Sequence, residues 1–127
     1  MLRTALDLTN SGISVALVLR HAGPEGLPGG LRCDETHASR SGLEAARESG
    51  VALGDQLTCC HASPYPRCLE TGETVVAGSG QAAVVVKDQL LGNPSVFIEN
   101  LDNATEVFER IGHDAVFEHL VNARPLP

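Results

Sequence analysis

The sequence predicts an α/β domain built on a mainly parallel sheet, and three observations predict it. The run Val15-Ala-Leu-Val-Leu19 is a short, continuous stretch of apolar residues that ends abruptly in Arg20 and His21. Residues 56–62 and 83–87 read as two further strands. These runs alternate with segments of helical periodicity, the pattern of βαβ units.

Each element follows from its local residues. Leu2, Leu6 and Leu8, interleaved with Arg3 and Asp7, predict a short amphipathic helix over 2–10. A buried parallel strand is expected over 14–20, followed by a Pro/Gly-rich loop over 22–37. Ser39 or Ser41 caps a helix that reaches residue 49 and is ended by Gly50. After the strand at 56–62, Ser63-Pro64 makes a sharp turn. Ser63 is the expected N-cap, with Pro64 near the first helical position of a helix over 65–77. Gly78-Ser79-Gly80 forms a turn before the strand at 83–87, and 90–100 is irregular around Asn93-Pro94. Leu101, Ala104, Val107, Phe108 and Ile111 recur at three and four residues and predict a helix over 102–111. A further helix is expected over 113–122, with Pro125 and Pro127 ending the pattern.

The 127 residues suffice for one domain with a real core. Apolar residues make up 43% and aromatics only 3%, so that core is rich in Val, Leu and Ala. No apolar run reaches the roughly 18 residues of a membrane-spanning helix, so no membrane partner is expected. The first dozen residues lack the long apolar stretch of a secretory signal, and the expected location is cytoplasmic. A net charge of -7 argues against nucleic acid as a partner. It does not argue against a phosphoester, because local cations, not the total charge, face a ligand. The four cysteines are Cys33, Cys59, Cys60 and Cys68, and they lack the Cys-x-x-Cys pairing of a structural zinc site. Cys59 and Cys60 are adjacent in a strand and point to opposite faces. Cys33 and His37 make only a half-site. Buried, reduced thiols are favoured over a metal module.

In open α/β sheets ligands sit at the carboxyl ends of the strands. That rule places Arg20 and His21 at the end of the first strand. Arg67 falls in the first turn of the helix that follows the second. A helix N-terminus attracts anions, and an arginine there adds a bidentate fork for phosphate. Arg20 and Arg67 are expected to converge on one oxyanion, with His21 as a nucleophile beside it.

These residues resemble the histidine phosphatase superfamily, the phosphoglycerate mutase-like family. Arg20-His21-Ala22 matches its Arg-His-Gly/Ala signature, and Ser63-Pro64-x-x-Arg67-Cys-x-x-Thr71 matches its second signature. Between them, Ser39-x-x-Gly42-x-x-x-Ala46-x-x-x-Gly50 resembles the family's Leu-Thr-x-x-Gly helix start. The resemblance runs from Val15 to Val86, and Gly92-Asn-Pro94-x-x-Phe97 resembles a further segment of one bacterial branch.

The resemblance implies a three-layer α/β/α fold of phosphoglycerate mutase type and a phosphatase acting on a small phosphoester. His21 would attack phosphorus as the neutral imidazole, with its second ring nitrogen held by a hydrogen bond. Arg20 and Arg67 would meet the charge on the transferred group, and Ser63 would join them in binding substrate or free phosphate. No metal or cofactor is implied, since the arginines carry that charge. Glu25, Asp88 and Glu99 are the candidates for the proton donor to the leaving group.

The family also carries a second catalytic histidine at the end of a later strand. His113-Asp114 copies the dipeptide, but in a helical setting. The resemblance therefore implies an incomplete domain, the N-terminal portion of the family unit. A catalytically incomplete phosphate-binding or assembly module of the same fold is the alternative. Self-association is expected with it, because a missing neighbour strand leaves an open edge. Mutase activity is disfavoured, since its acidic residue and substrate loops are not found.

Overall fold

In the computed structural model the chain is described over residues 2–23, 36–92, 96 and 98–122. Parallel strands cannot be joined by a tight turn, so they need a crossover element. Here α3 (Pro66–Ser79) is that element, connecting β1 (Cys60–Ala62) to β2 (Val85–Lys87). The strands pair in parallel with Cys60 opposite Val85, His61 opposite Val86 and Ala62 opposite Lys87. The ladder extends one bond further, Asp88 N–H donating to the Ala62 carbonyl at 2.8 Å. Among the described residues the architecture is mixed α/β, with helices predominating and one small two-stranded parallel sheet.

Gly72 of α3 lies against the sheet. A Cβ there would stand 3.2 Å from Val85 Cγ1, 3.3 Å from Cys60 Sγ and 3.5 Å from Ala62 Cβ. Cys60, Ala62 and Val85 therefore face the helix, and by the period of two His61 and Val86 face away. Both of those are exposed.

α2 (Arg40–Leu53) packs against α3. Their backbones meet. A Cβ on Gly50 would lie 2.1 Å from the Val75 carbonyl oxygen, and one on Gly78 would lie 2.4 Å from that of Arg47. Gly50 thus sits buried inside α2 and does not end it. The helix runs on to Leu53, where Gly54 at φ +52° stops it and a 3₁₀ turn over Gly54–Gln56 follows. The start of α2 is as expected: Ser39 is the N-cap, its Oγ accepting the Gly42 N–H at 3.2 Å.

α3 begins two residues later than the Ser63-Pro64 turn implied. Its N-cap is Tyr65, Pro66 takes the first helical position, and no side chain caps it. Two prolines compete for one position, and the residue before a proline is driven out of helical conformation. Tyr65, at φ −67° and ψ 140°, is that residue. Ser63 is therefore not the cap.

At the N-terminus α1 (Leu2–Asn10) half-buries Leu2, Ala5, Leu6 and Thr9, one helical face. It closes with a Schellman motif: Gly12, at φ +81°, donates to Thr9 O, and Ile13 N–H donates to Leu8 O. The expected strand over 14–20 is absent as regular structure. Val18 is 89% exposed, and Ile13, Val15 and Leu19 are exposed too. The reason is tertiary. Strand preference is a fit to neighbours on both faces, and no strand pairs with this segment among the described residues.

α4 (Leu101–Val121) opens with Asn100, whose Oδ1 accepts the Asn103 N–H at 3.0 Å. Gly112, at φ 80° and ψ 162°, breaks it into the two helices that the sequence periodicity predicts. Val107 and Val116, one in each half, are buried, and Val116 is only 2% exposed.

Gly50→Ala is expected to destabilise the protein by about 3 kcal/mol or to abolish folding, because the new methyl meets backbone and not a flexible side chain. Glu48→Ala, on the exposed face of the same helix, should stay within about 0.5 kcal/mol. Urea unfolding of both variants measures this. Equal midpoints would show that the helix crossing is loose.

Candidate functional site

His21 ends the extended segment that follows α1. Its Nδ1 lies 2.7 Å from the Ala22 carbonyl oxygen. A carbonyl only accepts, so Nδ1 carries the proton and donates. The lone pair is then left on Nε2, the atom that would attack an electrophile.

The Ala22–Gly23 peptide that supplies this carbonyl is flanked by two peptides that are themselves hydrogen-bonded, and it packs closely against Gly42. Ala22 N–H donates to Thr71 Oγ1 at 2.9 Å. Thr71 Oγ1 in turn donates to the Arg67 carbonyl at 2.6 Å, one turn back in α3. On the other flank, Ser39 N–H donates to the Gly23 carbonyl at 2.6 Å. At Gly42 a Cβ would stand 2.8 Å from Ala22 Cβ and 2.9 Å from Gly23 N. The segments Arg20-His21-Ala22, Ser39-x-x-Gly42 and Arg67-x-x-x-Thr71 thus converge on one peptide. The sequence singled out these residues as motif members without indicating that Thr71 and Gly42 act on the loop after His21.

A second contact fixes the same corner. Glu70 of α3 accepts the Ala38 N–H on Oε2 at 2.8 Å and pairs with His37 Nδ1 through Oε1. The Ala38 N–H bond is the largest reason that the Glu70 carboxyl titrates below its ordinary range, and His37 adds to it. Sequence reasoning paired His37 with Cys33, as a half-site, and gave no signal for Glu70. The partners are separated by more than thirty positions, and a lone Glu on a helix reads as solvated surface.

Arg20 is exposed at the strand-like end, and Arg67 stands in the first turn of α3. The Arg67 guanidinium lies over the Tyr65 ring, 5.0 Å from its centroid, a cation–π contact that orients the side chain. The Arg67 carbonyl is tied to Ala22 through the Thr71 hydroxyl: Ala22 N–H donates to Thr71 Oγ1, and Thr71 Oγ1 donates to Arg67 O. Ser63 is 7% exposed, and its Oγ has no hydrogen-bond partner among the described residues. Cys68 lies beside it and offers only a weak sulfur contact. Gly92, at φ +104°, passes close to Ser63 Oγ, its missing Cβ 3.6 Å away.

Of the three carboxylates singled out as proton donors, Asp88 directly follows β2, where its N–H bonds the Ala62 carbonyl beside Ser63. Its Oδ1 accepts the Leu90 N–H at 3.0 Å, and its Oδ2 lies 3.3 Å from His61 Nδ1. Glu99 is exposed in the bend before α4, with no described hydrogen bond toward His21. Glu25 lies outside the described residues, as do Cys33, Pro94 and Phe97. His113 follows Gly112 in the second half of α4, and its side chain lies outside the described residues. Cys59, Cys60 and Cys68 are free. Burial pushes the Cys60 and Cys68 thiols up, so both stay protonated at neutral pH. Among the described residues no cluster of three or more His, Cys, Asp or Glu side chains could hold a metal ion. None of the described helices is long and apolar enough to cross a membrane.

A shallow groove runs along α2 beside Ala38, Leu43, Arg47 and Thr74. It contains no motif residue, so the chemistry points to the Ala22–Gly23 corner instead. Comparison with family models, with curated proteins and with solved structures gave no match to this chain.

Glu70 titrates low in the folded protein, so its contribution to stability is complete above the ordinary carboxylate value of 4.5 and is lost as pH falls through its depressed value. Glu70→Gln keeps an acceptor for Ala38 N–H but removes the charge. Its urea midpoint is expected to fall less steeply than that of the wild type below about pH 4.5. Parallel curves for the two proteins would contradict this role.

Proposed function

We propose that the protein is a phosphatase that hydrolyses a small phosphoester through a phosphohistidine on His21. The observation that carries this reading is the His21 Nδ1–H bond to Ala22 O at 2.7 Å, which leaves Nε2 as the nucleophilic atom. Nε2 forms a bond to phosphorus as the P–O bond to the leaving group breaks. The leaving oxygen takes a proton from a carboxylic acid, for which Asp88 is the candidate, its N–H bonding the Ala62 carbonyl beside Ser63. Water then attacks the phosphohistidine, releasing inorganic phosphate and restoring His21. Arg20 and Arg67 would meet the charge on the equatorial oxygens, with the positive end of the α3 dipole behind Arg67. The buried, unpartnered Ser63 Oγ supports an acceptor-rich ligand at this place, since a phosphate oxygen would take its proton. The fold belonging to this reading is the three-layer α/β/α arrangement of phosphoglycerate mutase type.

A second reading, a phosphate-binding or assembly module of the same fold, draws on a different observation. Val18 and Leu19 before His21, and Val84 and Val86 at β2, expose apolar side chains that a parallel sheet ordinarily covers. Size-exclusion chromatography with light scattering tests it: a stable monomer with full turnover would remove this reading.

Incubation with a ³²P-labelled phosphoester and an alkaline quench is expected to place label on His21, and His21→Ala should abolish both label and turnover. Near-normal turnover in that variant would sink the phosphatase reading. Arg67→Lys is expected to weaken binding of inorganic phosphate about tenfold, because a point charge replaces a bidentate fork. Unchanged affinity in a phosphate titration would show that Arg67 does not face the anion.

A further inference from the structure

We infer that Thr71 is a positioning residue that sets which ring nitrogen of His21 is free, acting through the Ala22–Gly23 peptide. For its catalytic meaning, this rests on the reading of His21 as nucleophile. The geometry itself does not.

A neutral imidazole can carry its proton on either nitrogen, and only the bare nitrogen attacks. The bond from Nδ1 to Ala22 O selects the Nδ1–H form, but only while that carbonyl stays aimed at the ring. Ala22 is the residue immediately after His21, so the contact spans one residue and the carbonyl could swing away by rotation about the Ala22 backbone. Three contacts oppose that rotation. The peptide before it is fixed by Ala22 N–H donating to Thr71 Oγ1 at 2.9 Å. The peptide after it is fixed by Ser39 N–H donating to Gly23 O at 2.6 Å. Behind it, the Gly42 backbone approaches so closely that a Cβ there would stand 2.8 Å from Ala22 Cβ and 2.9 Å from Gly23 N.

Thr71 is the member of this clamp with a side chain that can be altered without touching the ring. Its hydroxyl has one proton and two lone pairs, and both roles are used: it accepts from Ala22 N–H and donates to Arg67 O. Thr71 itself is buried, so water does not replace the lost hydroxyl at little cost. Valine keeps the shape and removes both bonds. Serine keeps the hydroxyl and removes only the methyl.

The test reads the tautomer directly, by long-range ¹H–¹⁵N correlation of the full chain on the alkaline side of the histidine titration. Wild-type His21 is expected as the Nδ1–H form alone, with the Ala22 amide protected from hydrogen exchange. Thr71→Val is expected to populate the Nε2–H form and to lose that protection, while Thr71→Ser restores both. Transfer of ³²P to His21 should fall about tenfold in Thr71→Val and recover in Thr71→Ser. A wild-type ring protonated on Nε2 would overturn the inference, and so would an unchanged tautomer in folded Thr71→Val. If Thr71→Val does not fold, the wild-type tautomer and Ala22 exchange, with Thr71→Ser matching both, still decide it. Absence of label from a wild-type protein with the expected tautomer would count against the phosphatase reading and leave the positioning role intact.

Discussion

The backbone contact between α2 and α3 is the constraint on which the rest depends. Gly50 lies against the Val75 carbonyl and Gly78 against that of Arg47, closer than any side chain would allow. At another place along the same pair, Glu70 of α3 takes the Ala38 N–H just before α2 begins. Two helices fixed at two places cannot slide or rotate past one another without breaking one of them. Because interiors pack at close to crystal density, such contacts transmit position with little slack. The N-terminus of α2, with Ser39 and Gly42, and the middle of α3, with Thr71, therefore keep a set separation. The Ala22–Gly23 peptide fits between them. The sheet is secondary to this: it contributes three paired positions and a surface for Gly72.

It follows that His21 is oriented by helices and not by its own strand. The segment before it pairs with no strand, and Val18 and Leu19 project into solvent. An extended chain without a ladder is ordinarily a poor platform for a catalytic side chain, since sites on regular elements hold geometry more tightly. Here the platform is transferred to the residues just after the histidine. The ring bonds to Ala22, Ala22 to Thr71, and Gly23 to Ser39. Each contact is an ordinary hydrogen bond of modest net worth, about 1 kcal/mol. Their effect is additive in geometry, because successive peptides are fixed in series.

The sequence disclosed helix content better than sheet content, for physical reasons visible in particular residues. α1, α3 and the broken α4 follow from periodicity and from glycines at Gly12, Gly80 and Gly112, all with positive φ. These are local signals. The strand expected over 14–20 does not form, because a parallel strand exists only when a neighbour pairs with it, and the neighbour is not encoded in the run itself. Gly50 was ambiguous. Glycine serves both to stop a helix and to let two helices touch, and only the position of Val75, twenty-five residues away, separates the two uses. Ser63 failed as a cap because Pro66 competed with Pro64 for the start of α3. For the site, the motif spacing singled out His21, Ser39, Gly42, Arg67 and Thr71, and the structure links them by backbone and hydroxyl contacts around Ala22 and Gly23. What it could not give was the Glu70 pairing, which joins distant loops, or the use of the Thr71 hydroxyl in both directions.

Ser63 now has a different physical role from the one its position suggested. Had it capped α3, its Oγ would be satisfied and the start of the helix closed. Instead Pro66 at the first position removes one of the donors that a helix start must satisfy, and Cys68 N–H turns back onto the Tyr65 carbonyl. The helix end is thus completed in part by its own backbone, and Ser63 is left buried with only the weak sulfur contact of Cys68 for its hydroxyl among the described residues. Such a group costs about 1–3 kcal/mol until something accepts from it. Water would serve only where there is room and further polar partners. In the proposed reaction a phosphate oxygen accepts that proton while its charge lies at the positive end of the α3 dipole, so one ligand meets two demands that the protein leaves open. A group that costs stability in the free state and gains a partner in the bound one favours the ligand by the difference. On that proposal, a hydroxyl unsuited to capping the helix is placed to select an anion.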